Sequence, residues 1–329
     1  MRAYVTTEFG KPGQLREDLP RPQAGPGELL VAVHASGVNP ADLKIAAGQL
    51  GPAAPDLPAI LGMDFAGVVA EVGAEVRGFS VGDAVYGCAG GVKGRPGTLA
   101  EFVAVDARLV ALKPARLSMR EAAVLPLVSI TAWEGLVDRA AVSVDETVLV
   151  HAAAGGVGHV AIQIARAFGA KVFATASTPE KLGIAAKLGA EPIPYRDMAT
   201  EDYVARHTGG KGFDVVYDTV GGPVFEQSAA ATRRYGRLIS CAAWETHDLV
   251  PILGSSLDFI GIFMLLPMLT GQGLAHHGDI LREVATLVDA DMLTPLVDSA
   301  RFTLADTAAA HARLDNGHAV GKVVIDIVD

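Results

Sequence analysis

Between Glu146 and Ser177 the spacing of apolar residues changes twice. Thr147 to His151 is a short β-branched and apolar run, the pattern of a buried strand, and a turn of small residues follows it. Val157, Ala161, Ile164, Ala165 and Phe168 then recur at helical spacing on one face. Gly169 stops that helix, and Lys171 to Thr175 reads as a second buried strand. Strand, glycine turn, helix and strand make one βαβ unit of the length that binds a nucleotide.

The pattern differs on either side. Up to about residue 120, short alternating or β-branched runs (Glu28 to Ala35, Phe65 to Val72, Asp83 to Val85, Leu99 to Val105) are separated by Pro/Gly clusters, which predicts a compact β-rich domain of barrel type. From Glu121 helical and strand patterns alternate through Cys241, which predicts an α/β doubly wound sheet. The C-terminal stretch reads as a helix over Ile280 to Asp289, an extended piece over Pro295 to Thr303, a helix over Leu304 to Leu314 and a strand over Gly321 to Ile327. These short, β-leaning elements suggest that the chain returns to its first domain. The expected organisation is a split domain, 1–124 with 267–329, and an inserted nucleotide domain, 125–266. A cofactor and a small substrate would meet in the cleft between them.

Composition narrows the function. The 329 residues are 50% hydrophobic, enough for a large core, and the length suggests two domains. A net charge of −10 and no basic stripe argue against nucleic acid. Cys88 and Cys241 are the only cysteines, so no disulfide framework is implied and a reducing compartment fits. The first ten residues lack the apolar core of a signal peptide, so a cytoplasmic protein is expected. Two uncharged runs, Thr147 to Ala165 and Phe259 to Gly278, are broken by glycines, a proline or a histidine pair; both read as core, with no membrane partner.

The turn carries the first chemistry. Ala153, Gly155 and Gly158 stand where a dinucleotide fingerprint asks for G-x-G-x-x-G, and Gly156 and Val157 open the helix whose N–H groups would face a pyrophosphate. An S-adenosylmethionine site uses a similar turn, but the strand before, the helix after and the second strand on schedule favour a dinucleotide. About 20 residues on, where an NAD site places an acid for the ribose 2′-OH, this chain has Thr175, Ala176, Ser177 and Thr178, then Lys181. A hydroxyl and a lysine suit a 2′-phosphate, so NADP (as NADPH) is the expected cofactor.

G-V-N-P-A-D at 37–42, G-M-D-F-A-G-V-V-A-E-V-G at 62–73, F-S-V-G-D-A-V-Y-G at 79–87, A-A-G-G-V-G at 153–158 and G-K-V-V at 321–324 together resemble the medium-chain dehydrogenase/reductase superfamily. More narrowly they resemble its zinc-free quinone oxidoreductase, or zeta-crystallin-like, branch. The resemblance spans essentially the whole chain and implies a GroES-like barrel domain beside a Rossmann domain. It also places Asn39, Met63 and Leu127 at the three positions that hold catalytic zinc in the zinc alcohol dehydrogenases. An amide, a thioether and an alkyl chain do not make a zinc site of normal affinity, and the structural-zinc lobe is reduced to Cys88, so no metal is expected.

The same resemblance implies roles for further residues. Asn39 would donate to a developing oxyanion beside the nicotinamide. Lys44 would stabilise negative charge or relay a proton, and Thr131 would contact the nicotinamide. Asp42 and Asp64 read as structural. Tyr195 with Arg196 would join Ser177 and Lys181 near the adenosine phosphate. Gly221 and Gly222 would approach the ribose, and Lys322 would reach the cofactor across the cleft.

Without a Lewis acid, acceptors already activated, such as quinones and α,β-unsaturated carbonyls, are the plausible substrates. Three readings remain: an NADPH:quinone reductase, an enal, enone or enoyl-thioester reductase, or an NADPH-binding structural or sensing protein with little turnover. The run Asp258 to Leu266 is unusually apolar for a sheet edge, and with the resemblance it predicts a homodimer through that edge strand.

Overall fold

In the computed structural model, which describes residues 1–328, the apolar runs pair into three sheets. The chain divides into two compact units. One comprises Met1–Ile130, Leu265–Asp291 and the segment from Pro295 on, and the other Thr131–Met264 with Met292–Thr294. The sequence places the junctions a few residues away, at 124/125 and 266/267. Pro126–Trp133 is helical and runs into a π-helical stretch, Glu134–Arg139, so the change of unit falls inside one helical segment with no break in the polar pattern to mark it.

The second unit is built on a six-stranded sheet, all of whose pairings are parallel. Its strands run in the order Glu191–Pro194, Lys171–Ala176, Thr147–Val150, Phe213–Asp218, Thr232–Ser240 and Asp258–Gly261. The order reverses at Thr147–Val150, between its neighbours Lys171–Ala176 and Phe213–Asp218, which makes that strand's C-terminal end the switch point where open α/β sheets bind ligands. Leu149, Ile193, Phe213, Val216, Phe225 and Leu238 form part of its core. Burial of both faces explains why its strands read as continuous apolar runs rather than alternating ones.

The first unit carries a seven-stranded sheet in which Glu28–Gly37, Asp64–Val72, Ala84–Cys88 and Val110–Leu112 pair antiparallel in succession. Val324–Asp326 pairs antiparallel with the other edge of Glu28–Gly37, so the chain's last strand closes on one of its earliest. A three-stranded sheet completes the unit. The extended piece expected over Pro295 to Thr303 is strand only at Phe302–Thr303, and the helix before it begins earlier, at Leu274. Among the described residues no helix is long and apolar enough to cross a membrane.

Candidate active site

In the first unit, sheet register sets the geometry. Val324 lies opposite Gly37, Gly37 opposite Asp64, and Asp64 opposite Cys88, one row across four strands. Past the end of that row, Asn39 follows Gly37 and Lys322 precedes Val324, so the two side chains meet although they stand 283 residues apart. Gly37 is required here, because a Cβ would lie 2.3 Å from the Ala123 carbonyl oxygen.

Asn39 caps the helix Pro40–Ala46, its N–H donating to Asp42 Oδ2 at 2.8 Å. Its amide is engaged at both ends: Nδ2 donates to Asp64 Oδ2 at 2.9 Å and Oδ1 accepts from Lys322 Nζ. Asp64 Oδ1 accepts the Leu127 N–H at 2.8 Å, and Lys322 Nζ also donates to the Val38 carbonyl at 2.8 Å while lying 3.5 Å from Asp64 Oδ2. Asn39, Asp42, Asp64, Cys88 and Lys322 are all buried.

Burial pushes the Asp42 carboxyl up to about 7, helped by the nearby Asp64 and opposed by the Asn39 N–H. Burial likewise raises Asp64 and lowers Lys322, while each holds the other charged. At the 3.5 Å separation, an effective dielectric of about 20 gives an attraction on the order of 5 kcal/mol. Desolvation costs several kcal/mol per ion, so the pair is near break-even for stability.

Asn39 is fully buried, with Nδ2 giving one of its two hydrogens to Asp64 and Oδ1 accepting from Lys322, so its side chain ties the loop to both. Lys322 directs its ammonium at Val38, Asn39 and Asp64. Lys44 is exposed on the same short helix and lines a separate concavity of about 710 Å³ with Tyr4, Lys11 and His311, which none of the buried cluster lines. Met63 is fully buried next to Asp64. Among the described residues no group of three or more His, Cys, Asp or Glu could hold a metal ion. An amide at 39, engaged by the Lys322 ammonium, a thioether at 63 and an alkyl chain at 127 do not fit zinc.

In the second unit the glycine turn is closed on itself. Ala153 donates its N–H to Thr175 O at 2.9 Å, Gly155 to Ala152 O at 2.8 Å, and Ala152 holds a left-handed φ of 55°. Gly158 packs so tightly against this turn that a Cβ would meet the Ala152 carbonyl oxygen at 2.2 Å. Gly156 and Val157 open a 12-residue helix whose N-cap, Gly155, provides no side-chain cap, which leaves its first N–H groups available to an anion. These residues fit a dinucleotide pyrophosphate.

On the neighbouring strands Ala176 pairs with Pro194, so Ser177 and Tyr195 leave the sheet edge side by side. Thr178 Oγ1 caps the next helix through the Lys181 N–H at 3.3 Å, which sets Lys181 in its first turn. Toward the other side of the glycine turn, Asp218 Oδ1 accepts from Val220 and Gly221 N–H, both at 2.9 Å, and Oδ2 accepts from Ser240 Oγ at 2.7 Å. This shapes the Gly221–Gly222 turn, where both residues have positive φ. Thr131 is buried, and its carbonyl accepts from Tyr217 Oη at 2.7 Å.

Sequence reasoning overlooked His151. It directly follows the first Rossmann strand, Thr147–Val150, with Nδ1 3.1 Å from Thr175 Oγ1; its Nε2 has no hydrogen-bond partner, and burial lowers its pKa to about 4. A histidine one residue before a small-residue turn was the available signal.

Residues 25–115 match the alcohol dehydrogenase GroES-like domain family, and residues 188–325 the zinc-binding dehydrogenase family. The chain is 32% identical, over 99% of its own length and 79% of the other's, to 2-methylene-furan-3-one reductase of Solanum lycopersicum. It spans only 13% of the Streptomyces orinoci spectinabilin polyketide synthase system protein NorB and 14% of the phthioceranic/hydroxyphthioceranic acid synthase of Mycobacterium bovis. It superimposes on the crystal structure of an alcohol dehydrogenase superfamily protein from Novosphingobium aromaticivorans with a TM-score of 0.96, at 51% identity and full coverage of both chains. The quinone oxidoreductase from Coxiella burnetii gives a TM-score of 0.82 at 30% identity, covering 100% of this chain and 99% of that one. With its GroES-like sheet, its parallel Rossmann sheet and these relatives, the chain belongs to the medium-chain dehydrogenase/reductase superfamily of oxidoreductases.

Proposed function

We propose that this protein is an NADPH-dependent reductase that delivers hydride to an electron-poor acceptor, a quinone or an α,β-unsaturated carbonyl compound, without zinc. The observation that carries the reading is the nucleotide cradle: a glycine turn packed to contact at Gly158, an uncapped helix N-terminus behind it, and Ser177, Lys181 and Tyr195 in place of a carboxylate at the next strand's end. NADPH, when bound, supplies the hydride. The chain's own part is to hold it: N–H groups of Gly156 and Val157 face the pyrophosphate, Ser177 and Lys181 with Tyr195 receive the 2′-phosphate, and Gly221 gives close approach to the ribose.

The acceptor class follows from the donor set at residues 39, 63 and 127. With no Lewis acid to polarise a simple carbonyl, the acceptor must delocalise the arriving charge itself, as an enolate or phenolate does, and take its proton afterwards. The enone and quinone relatives named above are of that class. Thr131 is assigned to the nicotinamide side, and Lys44 is the remaining candidate for charge stabilisation or proton relay.

Two further assignments belong to this reading. The protein is cytoplasmic, where Cys88 and Cys241 stay as thiols. It is a homodimer through the edge strand Asp258–Gly261, whose surroundings expose Phe259, Leu253, Val250 and Leu249. The test of the function is steady-state oxidation of NADPH and NADH with a benzoquinone, with an enal, with a plain aliphatic ketone and with no acceptor. Turnover confined to NADPH and the activated acceptors is expected. Tight NADPH binding with no turnover on any of them would replace the reading with a structural or sensing role.

A further inference from the structure

The concavity of about 710 Å³ in the first unit lies between the strand Ala3–Thr6, the loop 10–13, the helix Pro40–Ala46 and the helix Thr307–Asp315. That volume is within the roughly 300–1,000 Å³ usual for small-molecule sites. Leu43, Ala47, Ala312 and Leu314 give it an apolar wall, and its charged lining is two lysines, Lys11 and Lys44, against one carboxylate, Asp315. His311 stands in the same wall; burial lowers it to about 4, so it is neutral at pH 7 and the excess positive charge comes from the lysines.

The wall is preformed. Gly10 N–H donates to the Ala46 carbonyl at 2.7 Å, and a Cβ on Gly48 would come within 3.1 Å of Phe9 Cβ, so the loop is held against the end of the helix. At its other end a Cβ on Gly13 would meet Tyr4 Cε1 at 2.6 Å and the Val5 carbonyl oxygen at 2.7 Å, which holds the loop against the strand. A site whose shape is fixed in advance loses little conformational freedom on binding. Lys11 Nζ lies 2.8 Å from Glu8 Oε2, but the two side chains are 66% and 61% exposed, and such a surface pair is weak. An incoming carboxylate can replace Glu8 at little cost.

We propose that this concavity binds a small amphipathic carboxylate, its anion held by the Lys11 and Lys44 ammonium groups and its apolar body laid along Leu43, Ala47, Ala312 and Leu314. An inorganic anion would gain nothing from the apolar wall, and a neutral ligand would forgo the charge-assisted hydrogen bonds of both lysines. The occupant bears on one face of the helix Pro40–Ala46, whose other face buries Asp42 and Ile45. The site stands apart from the hydride-transfer reading, since none of its lining residues belongs to the nucleotide-binding unit.

The probe is phenylbutyrate, titrated calorimetrically into the whole protein beside its neutral amide, phenylbutyramide. Saturable one-to-one binding of the acid, at least tenfold tighter than that of the amide, is expected. Lys11→Glu should weaken the acid at least tenfold and leave the amide within twofold, and Lys11→Ala should act in the same direction with a smaller loss. Ala312→Trp, which fills the wall from an exposed helix position, should remove binding of both. Lys44 is left in place because the reductase reading assigns it. NADPH affinity within twofold of the natural protein's shows that each variant is folded. Absence of acid binding, equal affinity for acid and amide, or binding untouched by Ala312→Trp overturns the proposal. Displacement of the acid by inorganic phosphate would make this a site for inorganic anions and overturn it as well.

Discussion

The α-carbon of Gly158 faces the carbonyl of Ala152 so closely that a single added carbon would stand 2.2 Å from that oxygen. The contact is backbone against backbone, so no side chain can rotate away to relieve it. Gly158→Ala should open the turn, lower stability by about 1–3 kcal/mol as overpacking does, and weaken NADPH binding more than tenfold. Thermal melting and nucleotide fluorescence titration check both.

Lys181 stands in the first turn of the helix Pro179–Lys187, beside the ends of the two strands that carry Ser177 and Tyr195. Lys181→Glu replaces an attraction for a 2′-phosphate with a repulsion. NADPH affinity should fall at least tenfold while NADH affinity moves by less than twofold. Equal changes for both would remove the phosphate assignment.

Burial holds His151 at about 4, below its ordinary 6.5, so it is neutral in the folded protein wherever the unfolded chain would protonate it. Between these values the unfolded state binds more protons, so the stability contributed above pH 6.5 is lost as the pH falls toward 4. At 1.36 kcal/mol per pH unit the full span is on the order of 3 kcal/mol. Denaturant unfolding from pH 7 to pH 4 should show this loss, and His151→Gln should flatten the slope even if it shifts the whole curve.

Asp258–Gly261 ends its sheet, with Phe259 and Leu253 exposed nearby. Phe259→Asp with Leu253→Asp should convert a dimer to a monomer, read as a halved mass in light scattering. A natural protein that is monomeric at all concentrations would remove the dimer assignment.

The strand, glycine turn, helix and strand that the proposed cradle is built on were legible because they are close in sequence. Turn, helix and second strand follow one another, and the missing carboxylate after Lys171–Ala176 is visible without any tertiary contact. The edge strand was legible for a related reason: its apolar composition conflicts with an exposed position. The buried cluster was not legible. Asn39, Asp64 and Lys322 could each be assigned a role by resemblance, but nothing local distinguishes a lysine that points outward from one that turns under the sheet. The same holds for the junction near Thr131, where a continuous helical segment hides the change of unit.

The sequence by itself determined the strand, glycine turn, helix and strand of the second unit and the lack of a carboxylate after Lys171–Ala176, because backbone conformation and hydrophobic period act over a few residues. Only the tertiary structure decided that Lys322 would meet Asn39 and Asp64. Those three come together through the register of Val324 on Gly37 and of Gly37 on Asp64, and register is set by burying whole strand faces at once rather than by any neighbour along the chain.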